Sequence, residues 1–268
     1  MNCKKPNLIY IDRSGEKART RFIPFDKIPD YVERYSWSKE LLESMIEVPC
    51  GNCIACRLNY SVEWATRCQM ESLCHDHTWF ITLSYKDSHL IKGCPTFDYE
   101  GNLRLYNNLD KNAISRFIRK LRDHFGHEVN IRYFGCGEYG DGKGERAANL
   151  NPHYHIIVFG APLDDLTEDM PHPDYLTKEH IQNKSYHIFR RKNSFGDFVY
   201  WSKTIQDCWC DKDGDPLGKI EIEEATWNTS AYVARYVVKK QKGVGSIVYK
   251  MLGVIPEYIR ISMSNELL

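Results

Sequence analysis

No stretch of this 268-residue sequence approaches the run of about 18 apolar residues that a membrane span requires, and the opening MNCKKPNLIY lacks the apolar core of a secretion signal. Both absences point to a soluble, unexported protein of a cytoplasm. Charge of one sign is not in excess either: 36 Lys and Arg balance 36 Asp and Glu. That excludes a chain that clings to nucleic acid or anionic lipid by bulk charge, so local distribution must decide. No G-x-x-x-x-G-K-[ST] phosphate loop occurs, and any nucleotide-driven step is expected from separate partners. Internal repeats and low-complexity tracts are also missing.

What is present suffices for one large domain, with a hydrophobic fraction of 42% to build its core. Charge is unevenly spread. Residues 103–122 carry Arg104, Lys111, Arg116, Arg119, Lys120 and Arg122 against Asp110 alone, and 231–242 carry four cations and no acid. Acids gather instead in 164–174 and 221–224, which allows a basic working face on a neutral protein. Of ten cysteines, Cys50, Cys53 and Cys56 crowd into one motif with metal-like spacing, so a reducing compartment is the simpler setting. Their thiolates could hold a structural Zn²⁺ with Cys68, Cys74, His75 or His77 as fourth ligand. Alternatively they are reduced, packed thiols, since no partner C-x2-C pair occurs elsewhere.

Residues 1–48 show no sustained period and read as an irregular segment. From 57 to 74 the apolar positions Leu58, Val62, Ala65 and Cys68 recur at helical spacing. WFITLSY (79–85) reads as a buried strand. The clearest helix follows Asp110 as N-cap: Ile114, Phe117, Ile118, Leu121 and Phe125 form one stripe, and Gly126 ends it. Segments 130–138 and 153–159 read as an antiparallel hairpin across a Gly-rich connection at 140–152. An insertion at about 161–218 contains a helix near 200–208 and a turn at 213–216. A strand at 219–223, a cap region at 228–230 and a helix at 231–240 complete the pattern. The order gives an α+β domain with a central antiparallel sheet, His153 and His155 on a middle strand, and helices mainly on one face.

Residues i and i+2 of a strand share a face, so His153-Tyr154-His155 sets two imidazoles side by side. Two histidines on a solvent face would give the same pattern. Glu138 ends the preceding strand and can approach that face, which would make a three-ligand site with open positions for a divalent ion; otherwise it is an ordinary strand-end carboxylate. Tyr232 and Tyr236 lie one helical turn apart, with Lys239 and Lys240 near the same stripe; tyrosines so spaced also commonly pack against a core. Together the pieces define a chemistry. A phenol, with a pKa of about 10, is a poor nucleophile at neutral pH and needs a cation to polarise a scissile phosphate. Attack would leave a 5′ phosphate esterified to tyrosine and free a 3′ hydroxyl.

Phe80 to Tyr85, Arg132 to Gly140, Pro152 to Gly160 and Ala231 to Lys240, in that order, resemble the motifs of the HUH replication initiators of microviruses, especially the gokushovirus-like group. Pro49 to Arg57 resembles that group's N-terminal cysteine motif. The resemblance implies an HUH endonuclease domain over 49–268, an RRM/ferredoxin-like variant, that nicks the origin of a circular phage genome in rolling-circle replication and later rejoins the product. It also implies His153, His155 and Glu138 as ligands of Mg²⁺ or Mn²⁺. Tyr232 and Tyr236 would be paired nucleophiles, assisted by Lys239 and Lys240. Single-stranded origin DNA would be the substrate, with Arg116, Arg119, Lys120, Arg122 and Arg235 as its cationic contacts. A host helicase and polymerase would be partners, the bacterial cytoplasm the setting, and no membrane would be involved. Asn151 stands where the family usually has an arginine before Pro-His-x-His. Two other readings compete: a non-catalytic module that binds single-stranded nucleic acid, which leaves the histidines, Glu138 and tyrosines unexplained, and a transposase or relaxase of the same chemistry.

Overall fold

The computed structural model describes residues 3–13, 16–28, 45–98, 100–140, 149–194, 196–239 and 244–262, and of residues 175, 236–239 and 244–246 the backbone alone. The chain divides into two compact units, Met1–Glu63 and Trp64–Leu268.

The first unit is more regular than its sequence suggests. Strands β1 (Asn7–Asp12), β2 (Arg19–Ile23) and β3 (Ile46–Val48) form an antiparallel sheet in the order β2-β1-β3. The expected irregular segment therefore contains strands, which low apolar periodicity concealed. Helix α1 (Ile54–Ser72) follows, with the boundary between the units inside it. Its Ala65 and Cys68 are buried as expected, but Leu58 and Val62 are exposed, and Ser61 lies inside in their place.

The second unit is built on five antiparallel strands. β4 (Thr78–Ser84), β5 (Arg132–Glu138), β6 (His153–Phe159), β7 (Ile220–Glu224) and β8 (Tyr258–Ile261) are ordered β7-β4-β6-β5-β8, which puts β6 in the middle. The α+β class and the central antiparallel sheet are as the sequence implies. Strand alternation gives the sheet two unlike faces. Trp79, Ile81, Leu83, Tyr154, Ile156, Val158, Ile220 and Ile222 face the main core. Helix α2 (Ala113–Phe125) packs on that face through Ile114, Phe117, Ile118 and Leu121, all buried, each contributing about 1.5–3 kcal/mol on transfer from water. Asn112, not Asp110, is its N-cap residue, while Asp110 shapes the turn before it by accepting from Asn112 N at 2.8 Å. Two glycines of β5 allow this packing: a Cβ on Gly135 would meet Ile114 Cδ1 at 3.3 Å, and one on Gly137 would meet Tyr258 Cε1 at 2.9 Å.

Residues 161–218 hold α3 (Lys178–Asn183) and α4 (Lys203–Cys208) and contribute Met170, Trp201, Ile205 and Trp209 to the main core. Trp209 Nε1 donates to Ser84 O at 2.8 Å, so this segment is knitted to β4. On the opposite face Phe80, Phe134, Cys136, Ile157 and Phe159 form a smaller cluster with Trp64 and Cys68 of α1 and Tyr232 and Val233 of α5 (Trp227–Lys239). Residues 228–230, expected to cap α5, lie in its first turn, and Thr226 Oγ1 accepts from Thr229 N at 3.3 Å. Helix α6 (Val244–Met251) precedes β8. Among the described residues no helix is long and apolar enough to cross a membrane.

Candidate metal and tyrosine centre

The register of the hairpin sets Glu138 opposite His153 and Cys136 opposite His155. Both imidazoles therefore point to the side of the smaller cluster, while Tyr154 between them is wholly buried in the main core. The two Nε2 atoms converge on one carboxylate oxygen, His153 at 2.6 Å and His155 at 3.0 Å from Glu138 Oε1. Glu138 is only 1% exposed.

Each ring is fixed from behind. His153 Nδ1 donates to the Asn151 carbonyl at 2.8 Å, and His155 Nδ1 shares a hydrogen bond of 3.0 Å with Thr82 Oγ1. Phe80 stacks on the His155 ring at 5.4 Å. Nothing in the sequence singled out Asn151, Thr82 or Phe80 for these positions. The available signal was the alternation of 79–85: once Trp79, Ile81 and Leu83 face the core, Phe80 and Thr82 must face the histidines.

Electrostatics differ between the two rings. Burial pulls the His153 pKa down, but the hydrogen bond and charge of Glu138 more than offset it, and the pKa is raised. At His155 burial prevails and the pKa is lowered, despite the same carboxylate. Burial alone would protonate Glu138, yet the two imidazoles hold its pKa well below the ordinary carboxylate range. The centre thus keeps one carboxylate and one imidazolium in close contact.

Helix α5 brings a phenol to the same point. Tyr232 Oη lies 3.3 Å from Glu138 Oε1 and 3.5 Å from His155 Nε2. Its ring stands nearly perpendicular to His155, with centroids 5.0 Å apart, and Phe80 meets it edge-on at 6.2 Å. The Arg235 guanidinium sits 5.0 Å from the centre of the Tyr232 ring. The side chains of Tyr236 and Lys239, and Lys240 as a whole, lie outside the described residues.

Donor atoms of Glu138, His153 and His155 all fall within 4.8 Å of one another. Two imidazole nitrogens and a carboxylate oxygen, with the second nitrogen of each ring anchored, fit a divalent cation that keeps further positions open. A second group, His89, Asp211 and Asp215, is already engaged: Lys86 is ion-paired with Asp215, and Asp211 Oδ1 accepts from the backbone N of Asp213 and Asp215 at 2.9 Å each. The third joins Cys50, Cys53 and Cys56 to Cys3. The fourth partner expected at Cys68, Cys74, His75 or His77 is thus replaced by Cys3: Cys68 is buried in the smaller cluster, Cys74 is exposed, His75 pairs with Glu71, and His77 stacks on Trp79.

The cations of α2 do not line the centre. Their helix covers the opposite face of the sheet, and most are occupied: Arg116 is ion-paired with Asp110, Lys120 donates to Cys210 O at 2.8 Å, and Arg122 Nη2 donates to Ile131 O at 2.6 Å. Arg119 is exposed on that far side. Of the five cations singled out in the sequence, Arg235 is the one placed beside the tyrosine.

Residues 78–241 match the model of the replication-associated protein ORF2 family. The chain belongs to this family. It is 31% identical over 272 residues to the replication-associated protein ORF2 of Spiroplasma virus 4, an alignment covering 98% of this chain and 67% of that protein. It is 31% identical over 204 residues to the replication-associated protein VP4 of Bdellovibrio phage phiMH2K, and 28% over 193 residues to the replication-associated protein ORF4 of Chlamydia phage 1. Those alignments cover 76% and 72% of this chain, but 51% and 38% of the relatives. No solved structure matches it. The span shared with the family contains Glu138, His153, His155 and Tyr232, whereas the cysteine motif lies outside it.

Proposed function

We propose that the chain is a phage replication initiator that nicks single-stranded DNA at the origin of a circular genome through a covalent 5′-phosphotyrosine, and later rejoins the strand. The observation that carries the reading is the position of Tyr232 Oη, 3.3 Å from the carboxylate oxygen on which both histidines converge. Glu138, His153 and His155 would hold Mg²⁺ or Mn²⁺, which when bound supplies Lewis-acid polarisation of the scissile phosphate. The chain's own residues do the rest. Asn151 O and Thr82 hold the imidazoles in place, Phe80 fixes the His155 plane, and the packing of α5 presents the phenol within reach of a phosphate held at the same point. The phenol oxygen bonds to phosphorus, the bond to the 3′ oxygen breaks, and the phenol proton ends on that oxygen. Rejoining is the reverse. Arg235, beside the tyrosine, contacts the DNA backbone, and Tyr236, with Lys239 and Lys240, supplies the second acceptor and its cationic surroundings.

A non-catalytic binding module is less well supported, because the α2 cations that favoured it lie across the sheet and are largely engaged. A transposase or relaxase would share the chemistry, but the named relatives are replication-associated proteins. The proposed setting is the bacterial cytoplasm, with host helicase and polymerase supplying unwinding and synthesis. To test the reading, the protein is incubated with single-stranded DNA of its own genome and Mn²⁺ or Mg²⁺, and adducts are mapped by mass spectrometry. The expected product is a DNA adduct on Tyr232 or Tyr236. Either Tyr→Phe variant alone retains some nicking and the double variant none; an adduct on the double variant would refute the assignment.

A further inference from the structure

The first unit carries a feature that the nicking reading does not use. Cys3, Cys50, Cys53 and Cys56 bring four sulfur atoms within 4.8 Å of one another, although Cys3 and Cys50 are 47 positions apart. Cys3 Sγ lies 3.8 Å from Cys53 Sγ, and Cys50 Sγ lies 3.9 Å from Cys56 Sγ. Four sulfurs at the usual Zn–S length of about 2.3 Å, set at the corners of a tetrahedron, stand about 3.8 Å apart. The same separations are far too long for a disulfide, whose S–S bond is about 2.05 Å.

The surrounding backbone is arranged for sulfur carrying negative charge. Cys50 N donates to Cys3 Sγ at 3.4 Å, Cys53 N to Cys50 Sγ at 3.3 Å, and Cys56 N to Cys53 Sγ at 3.5 Å. Gly51, at φ +71°, allows the tight turn that aims these N–H groups inward. The unit also needs a staple. Among its described residues, the buried hydrophobic side chains are Ile23, Ala55 and Cys56, while Ile11, Phe22, Ile46 and Val62 are exposed. A unit this small with so little core usually depends on a metal or on disulfides.

We propose that Cys3, Cys50, Cys53 and Cys56 form a closed, four-thiolate structural zinc site that ties the start of the chain to the beginning of α1. All four protein ligands come from this one unit, so no position is left for substrate, and the zinc acts in folding rather than in strand cutting. The inference is independent of the nicking reading.

For the test, the full-length chain is purified under reducing conditions without chelators and its zinc is measured after dialysis. One zinc per chain is expected. Replacement by Co²⁺ should give thiolate-to-metal charge-transfer bands and the strong visible absorption of tetrahedral cobalt. Cys3→Ser should weaken zinc binding by more than about tenfold in chelator competition, the loss that removal of even an outer-sphere partner can cause. Cys74→Ser and Cys94→Ser, at exposed thiols outside the cluster, should bind as the parent does. If Cys3→Ser fails to fold, mercurial titration of the unaltered chain replaces it, with one zinc released as four thiols react. Substoichiometric zinc after reconstitution, a cobalt spectrum without thiolate bands, or unchanged zinc affinity in Cys3→Ser would overturn the site. Zinc bound at Glu138, His153 and His155 gives no thiolate band, so the two centres are told apart.

Discussion

Loading a divalent cation into the Glu138, His153 and His155 centre should release one proton, and the number follows from the hydrogen bonds. A carbonyl has no hydrogen to give, so His153 Nδ1 must donate to Asn151 O; Nε2 faces the ionised Glu138 and must donate as well. His153 is therefore an imidazolium in the metal-free protein, consistent with its raised pKa. His155 is neutral, in keeping with its lowered pKa, and carries its hydrogen on Nε2 toward Glu138. A cation on both Nε2 atoms expels the His153 proton to solvent. At His155 the hydrogen moves to Nδ1, where Thr82 Oγ1 can switch from donor to acceptor with no net proton change. The sign follows from the direction of the His153 shift. Below its raised pKa each unit fall in pH should weaken binding about tenfold, or roughly 1.4 kcal/mol, and above it the affinity should level off. Titration calorimetry with Mn²⁺ in buffers of different ionisation enthalpy, from below the ordinary histidine value of 6.5 upward, measures both slope and proton count. The soft thiolate cluster should not compete for this hard cation. A count of two protons, or a flat profile across the histidine range, would refute the assigned protonation states. The same shift makes a second, opposite contribution in the metal-free protein. There the His153 charge stabilises the fold fully below 6.5, and that contribution fades as pH rises through its folded-state pKa.

Two further outcomes are expected. Gly137→Ala should destabilise the fold by about 1–3 kcal/mol, because the new methyl would meet Tyr258 Cε1 at 2.9 Å and Tyr154 Cε1 at 3.1 Å; an unchanged urea midpoint would show that these rings yield freely. In single-stranded DNA binding, Arg235→Gln should lower the salt slope by about one counterion, whereas Arg119→Gln should leave it unaltered, since Arg119 lies across the sheet; the reverse pattern would move the DNA to the α2 face.

Local periodicity carried much of this protein. The two-residue repeat of a strand is enough to set His153 beside His155 and to send Tyr154 the other way, and the hydrophobic stripe of α2 declares its buried side without any partner in view. One turn of helix likewise relates Tyr232 to Tyr236. These are properties of the backbone repeat, so neighbours in sequence suffice to determine them. Only the tertiary structure decided which elements share a face. Packing, not pattern, put Tyr232 at the carboxylate and the α2 cations behind the sheet. It also exposed Leu58 and Val62, whose spacing alone marked them for the interior, and brought Cys3 to a cluster 47 positions downstream of it. Such pairings depend on which surfaces meet once the chain has collapsed, and that free energy is summed over contacts distant in sequence.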